Sequence, residues 1–312
     1  MIALYIAAAA VLLYAVFIVG PAFTAAHFIF AKMAPLGSDG SKDDPRFTPY
    51  LGEMIAAYNF IESKNPRRVE ITARDGTRLG ADLVVGTSDR VVVFCHGYRA
   101  SPKINFPIQG RMMAENGYSL LFIRQRGHDG SGGKNSTLGL LEGDDIIKWT
   151  EYARETLGAK KIVVYGLSMG AFAVSSVADR FDPESVTALV VDSGYSSPKK
   201  QLMTECGRRR LPGSLMMPWI GLYAKAKFGV SIRKSAPDAL RRASVPVFFI
   251  HGKEDRTVPL SEGTENFGAC ASEKEMAVPE TGQHGVAFPA GGAELKEKLL
   301  SFLDKANSRQ EL

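Results

Sequence analysis

Lys161-Ile162-Val163-Val164-Tyr165-Gly166-Leu167-Ser168-Met169-Gly170 begins as an unbroken apolar run and ends on a serine flanked by glycines. Residues 161–165 are β-branched and aromatic without alternation, the pattern of a strand covered on both faces in a parallel sheet. Residues 169–180 are rich in alanine and valine and long enough for a helix. Ser168 therefore sits on a strand-to-helix turn, the context in which G-x-S-x-G forms a nucleophile elbow. Roughly 0.2 such strings are expected by chance in a chain of this composition, so the flanking strand and helix carry the reading. The plain alternative is a serine that caps a helix between two glycines.

The same continuous apolar pattern returns at residues 91–95, 120–123, 188–191 and 245–250. Helix-length segments at 108–116, 144–157 and 294–306 lie among these runs. Residues 69–73 and 79–85 flank Asp75-Gly76, a hairpin signal. A further helix is expected near residues 50–62, with Thr48 as its capping residue and Pro49 in its first turn. Strands alternating with helices predict an α/β fold with a mostly parallel, doubly wound sheet. Polar groups at the carboxyl ends of its strands then line one crevice.

A serine hydroxyl needs a base, itself oriented by a carboxylate, before it attacks a carbonyl at neutral pH. Asp255 lies in His251-Gly252-Lys253-Glu254-Asp255-Arg256-Thr257-Val258-Pro259, just beyond a predicted strand. His284 lies in a glycine-rich loop before the last helix. Of the other four histidines, His27 falls in the apolar leader, His96 and His251 directly follow strands, and His128 occupies a glycine-rich loop, where it is a weaker candidate base. Asp192 also ends a strand and is the alternative acid. For the oxyanion of acyl transfer, the expected donors are the backbone amides of Met169 and of Tyr98, the latter in the loop His96-Gly97-Tyr98.

These motifs, with Arg126-Gly127-His128-Asp129-Gly130-Ser131, resemble the α/β-hydrolase superfamily over about residues 47–305. Within it the chain is most similar to monoglyceride-lipase-like and serine-aminopeptidase-like hydrolases, including membrane-anchored bacterial members. The resemblance implies the α/β-hydrolase fold and serine hydrolysis with no cofactor and no metal. A serine at the nucleophile position disfavours the haloalkane dehalogenase and epoxide hydrolase branches. Relatives often read Arg-Gly-His-Gly in the glycine-rich loop, whereas here Asp129 precedes Gly130.

The 312 residues accommodate one such domain and a short appendage. A composition of 45% hydrophobic and 23% charged residues excludes disorder and a polytopic membrane protein. The appendage is an amino-terminal stretch, residues 1–31, without Asp, Glu, Lys or Arg, in which residues 2–19 are uniformly apolar. It reads as a transmembrane anchor that Gly20-Pro21 kinks or ends. A cleaved signal peptide is the rival, against which stand the missing basic start and the length of the run. Residues 32–46 read as a linker, and residues 47–312 as the catalytic domain. Lys32, Lys42 and Arg46 are interspersed with Asp39, Asp43 and Asp44, so charge assigns no side of the membrane.

Three cysteines, Cys95, Cys206 and Cys270, are too few and too odd for a disulfide framework, and Cys95 reads as a small buried hydrophobe. About fifty residues separate the strands ending at Asp192 and beginning at Val245, so a helical lid is expected at about 195–240. Between Lys199 and Lys234, nine Lys and Arg face a single Glu205, which more than accounts for the net charge of +5. Residues 215–223 within it form an apolar run that suits an acyl pocket, a membrane interface or an ordinary buried helix. The expected partners are a small-molecule or lipid acyl substrate and the membrane, reached by the amino-terminal helix and by the basic lid. No nucleic-acid motif accompanies the charge. A membrane-tethered hydrolase of esters or thioesters is the expectation. The alternatives are an aminopeptidase sharing the triad, disfavoured because a basic lid repels a substrate ammonium, and a non-catalytic scaffold.

Overall fold

The computed structural model describes residues 1–31, 44–128 and 130–308. Eight strands form one sheet: β1 (Arg67–Thr72), β2 (Arg78–Val84), β3 (Arg90–Cys95), β4 (Ser119–Arg124), β5 (Lys161–Leu167), β6 (Val186–Asp192), β7 (Val247–Ile250) and β8 (Lys274–Ala277). Their spatial order is β1-β2-β4-β3-β5-β6-β7-β8. β2 runs antiparallel to β1 and β4, and every other neighbouring pair is parallel. The mostly parallel, doubly wound sheet expected from the sequence is present.

Alternate residues of the central strands enter two separate cores, as the two-residue period requires. Val91, Val93, Ile162 and Val164 face one layer with Trp149 and Phe172, whereas Val92, Phe94, Val163 and Tyr165 face the other with Phe288 and Phe302. Helices Leu51–Ser63, Pro107–Glu115 and Gly292–Ser308 cover the second face, and helices Glu142–Glu155 and Met169–Ser175 cover the first. Each large apolar side chain buried in these layers contributes about 1.5–3 kcal/mol. Cys95, Cys206 and Cys270 are free and buried among them.

Four local expectations need revision. β8 was missed because Lys274-Glu275-Met276-Ala277 has no apolar run; it is an edge strand with every residue half-buried. Thr48 caps nothing: residues Thr48–Tyr50 form a 3₁₀ turn and the helix starts at Leu51. The helix after Ser168 stops at Ser175, where the hydroxyls of Ser175 and Ser176 bond the carbonyls of Ala171 and Ala173, and a 3₁₀ turn Ala178–Arg180 follows. Finally, Gly20-Pro21 does not end the amino-terminal helix, which runs unbroken over Ile2–Phe30. A π-helical turn at Ala15–Val19 absorbs the missing proline N–H and the steric demand of its ring.

The first half of that helix, Ile2–Tyr14, buries no residue. Its second half docks: Ala22, Ala26 and Phe30 are fully buried in the first core layer. They pack against the region between β6 and β7, where the expected lid contains helices Pro198–Arg208, Gly213–Phe228 and Ala236–Leu240. In the middle helix Met216, Met217, Ile220 and Ala224 are buried, while Leu215 and Leu222 are exposed. Trp219 and Tyr223 instead meet Tyr14, Phe23 and Phe30 of the amino-terminal helix. Most of the expected linker, with Lys32, Asp39, Lys42 and Asp43, lies outside the described residues.

Candidate active site

β5 delivers the chain to Ser168 at φ 55° and ψ −112°, a conformation that non-glycine residues adopt only when their surroundings hold them there. The Ser168 amide donates to the carbonyl of Asp192 at the end of β6 (2.8 Å). Gly170 lies against the end of β3 so closely that a Cβ there would stand 1.9 Å from the Cys95 carbonyl oxygen. The turn thus needs glycine for space, and it turns the Ser168 side chain away from its own helix. That side chain makes no capping bond, contrary to the plain reading of the motif.

Instead Ser168 Oγ lies 3.0 Å from Nε2 of His284, and Nδ1 of His284 lies 2.7 Å from Oδ2 of Asp255. With the proton on Nδ1, the imidazole donates to the carboxylate and accepts from the hydroxyl. The other carboxylate oxygen of Asp255 accepts the amides of Thr257 and Val258, both at 2.8 Å. Burial raises the Asp255 pKa, but the hydrogen bond and charge of His284 and the Val258 amide outweigh it and hold the carboxyl below its ordinary value. Its ionised form is therefore the one available to orient His284.

The unforeseen β8 is what brings these two loops together. Beyond the β7–β8 pairing, the amides of Lys253 and Glu254 donate to Pro279 (3.0 Å) and Gly282 (2.9 Å). At Gly252 the two backbones approach so closely that a Cβ would stand 2.1 Å from the Gly282 oxygen. Asp192, the alternative acid, is turned elsewhere: it accepts from the hydroxyls of Ser193 (2.9 Å) and Tyr165 (3.2 Å). Complete burial pushes its pKa up to about 7, against the pull of those two hydroxyls.

Beyond the ends of β3 and β5 respectively, the amides of Tyr98 and Met169 donate to no protein acceptor among the described residues. The Gly97 amide, by contrast, is taken by Oδ1 of Asn105 (2.8 Å). His96 donates from Nδ1 to the Gly97 carbonyl (2.7 Å) and accepts the Gln125 amide on Nε2 (3.1 Å). His128 is no base for Ser168; its Nδ1 donates to the Arg126 carbonyl (3.0 Å) and its Nε2 accepts the Arg99 amide (3.1 Å). The two rings meet edge to face at 4.7 Å, and burial lowers the pKa of both. Two neutral imidazoles and Asn105 thus fix the loop that presents the Tyr98 amide. Sequence reading missed Asn105 and this use of His96 and His128; for His96, a polar side chain directly after a buried strand was the available signal. Asp129 lies outside the described residues. Among those described, no three His, Cys, Asp or Glu side chains converge on a metal-sized site.

A family model for the alpha/beta hydrolase fold matches residues 90–213. The protein YqkD of Bacillus subtilis (strain 168), described as uncharacterized, is 24% identical over 223 residues, covering 70% of this chain and 73% of its own. YfhR of Escherichia coli (strain K12), likewise uncharacterized, is 23% identical over 249 residues, 78% of this chain and 82% of its own. Among solved structures, the esterase Pf2001 of Pyrococcus furiosus superposes with a TM-score of 0.64 at 24% identity, covering 78% of this chain and 92% of that one. The acylaminoacyl peptidase of Pyrococcus horikoshii gives 0.57 at 17% identity, covering 79% of this chain and 43% of that one. At these identities the structural likeness speaks for the fold, and it agrees with the strand order and the family match. The chain has the α/β-hydrolase fold.

Proposed function

We propose that the protein is a membrane-tethered serine hydrolase that cleaves carboxylic esters or thioesters of apolar acyl groups. The observation that carries this reading is the relay of Ser168, His284 and Asp255 at 3.0 and 2.7 Å, beside two amides with no other acceptor among the described residues. In this mechanism Ser168 attacks the carbonyl carbon while His284 takes its proton. Asp255 holds the imidazole tautomer and stabilises the imidazolium. The amides of Met169 and Tyr98 receive the oxyanion. His284 returns the proton to the departing alkoxide or thiolate, and water, activated by the same histidine, releases the acyl group and regenerates Ser168.

The lid supports an apolar acyl group and a lipid surface. Its middle helix presents Leu215 and Leu222 outward, and its Trp219 indole donates to the Tyr14 hydroxyl (3.0 Å) of the apolar amino-terminal helix. Flanking lysines and arginines suit anionic headgroups. An aminopeptidase shares the same relay and has a structural counterpart in the acylaminoacyl peptidase fold. The cationic lid is ill suited to a substrate ammonium, so the ester reading is preferred. A scaffold without turnover leaves the relay unexplained.

A fluorophosphonate probe is expected to label the wild-type protein and to leave Ser168→Ala unlabelled. Equal labelling of the two ends the proposal. p-Nitrophenyl esters are expected to be hydrolysed far faster than aminoacyl anilides, and the reverse order selects the peptidase.

A further inference from the structure

The last carbonyls of a helix have no partner within it and must find one elsewhere. At the end of the amino-terminal helix they are taken by residues of the active-site rim. The Tyr98 hydroxyl donates to the Ile29 carbonyl (2.7 Å), Nη2 of Arg99 to the Phe28 carbonyl (3.2 Å) and Nδ2 of Asn135 to the Phe30 carbonyl (2.8 Å). The Arg99 guanidinium also lies over the Tyr98 ring at 4.8 Å, a cation placed where a helix carboxyl terminus favours one. Arg99 itself sits at φ 55°, and its amide is the one that His128 accepts. At the end of the linker the chain touches the opposite rim: Nη1 of Arg46 donates to the carbonyl of His284 (3.2 Å). The helix end is locked in turn by Phe30, buried and packed on Tyr223 and Phe228 of the lid.

We propose that the membrane helix is a positioning element of the catalytic machinery, its docked carboxyl-terminal turn holding the loop that carries the Tyr98 amide. This rests on the reading of that amide as an oxyanion donor. The anchor then does more than raise the local concentration of enzyme at the membrane. Undocking it releases the Tyr98 hydroxyl and the Arg99 guanidinium together, and the strained Arg99 backbone is left with the His128 bond alone. The Tyr98 amide then spends less time in line with Ser168. Tyr98 and Phe30 act on the chemistry through the loop, not by touching substrate.

The test uses the full-length protein in detergent micelles with p-nitrophenyl acetate, an ester with a minimal acyl group. Tyr98→Phe keeps the ring and the backbone amide but loses the bond to Ile29. Phe30→Ala loosens the helix from a point that makes no contact with the relay. Both are expected to lower kcat about 10-fold, less than the about 10² to 10³ of losing a donor outright. KM is expected to stay within about twofold and the midpoints of the pH–rate profile to stay in place, because the relay is untouched. A kcat equal to wild type in Tyr98→Phe, or a change confined to KM in both variants, overturns the coupling. Tyr98→Phe decides alone if Phe30→Ala fails to melt cooperatively. A wild type that does not hydrolyse the ester, or that Ser168→Ala matches, instead overturns the functional reading beneath it.

Discussion

Asp192 ends β6 and Asp255 lies in the loop after β7 of the same sheet, and their surroundings give them opposite character. Asp255 gathers two backbone amides and an imidazole N–H, which favour the carboxylate; Asp192 gathers two hydroxyls in a site that solvent does not reach. Asp255→Asn is therefore expected to lower kcat by about 10⁴, since the amide no longer selects the tautomer that accepts from Ser168. Asp192→Asn is expected to retain activity and to change the pH dependence of stability. The folded chain keeps a proton on Asp192 up to about pH 7, whereas an unfolded aspartate releases it near 3.9. Between these values the native state binds the extra proton, so the wild type loses stability as pH rises. The gain in melting temperature of Asp192→Asn over wild type is expected to be larger at pH 8 than at pH 5. An equal gain at both refutes the assignment. Of these residues, Ser168 and His284 were legible as candidates from motif and order along the chain, and Asp255 as one of two candidate acids. The roles of His96, His128 and Asn105 were not, because each bonds a backbone group whose neighbour only folding supplies.

At the scale of elements, the elbow was legible because strand, turn and helix are contiguous and each has its own periodicity. The close approach of Gly170 to Cys95 was not, since β3 and β5 are separated by β4 and three helices in sequence. Gly170→Ala is expected to displace the turn at a cost on the order of 3 kcal/mol or more. Urea unfolding and probe labelling measure this, and a variant with wild-type midpoint and labelling contradicts the geometry. β8 was illegible for the opposite reason. Its charged residues mark an edge with little to bury, and its pairing with β7 draws specificity from backbone bonds. The segment between β6 and β7 was visible as excess length and charge, while its three helices and their contact with the amino-terminal helix were not. Trp219 and Tyr223 read as a local apolar run, and their partners Tyr14, Phe23 and Phe30 lie about two hundred residues earlier.

Across the whole molecule, the amino-terminal helix is the element whose meaning changes most. Eighteen consecutive apolar residues reach the length of a membrane span, yet a signal sequence satisfies the same criterion. A cleaved leader has no reason to contribute Ala22, Ala26 and Phe30 to a hydrophobic core or to have its last carbonyls bonded by Tyr98, Arg99 and Asn135. Removing it opens those sites to water. The mature protein is accordingly expected to retain Met1 or Ile2 at its amino terminus by intact mass and to remain in the membrane pellet after alkaline carbonate extraction. A mature chain beginning near residue 32 contradicts this.

What the sequence determined by itself was set by local pattern. Unbroken apolar runs specified a buried parallel sheet, a glycine-flanked serine specified a strained turn, and the charge-free amino terminus specified a membrane-length helix. Each is a property of adjacent residues, written in the period of one element. The tertiary structure alone decided which acid meets His284, how β8 brings the loops of Asp255 and His284 together, and that the amino-terminal helix ends on the loop beside Ser168. These depend on contacts between segments far apart in the chain, whose energies come from packing and backbone hydrogen bonds that leave no periodic trace in sequence.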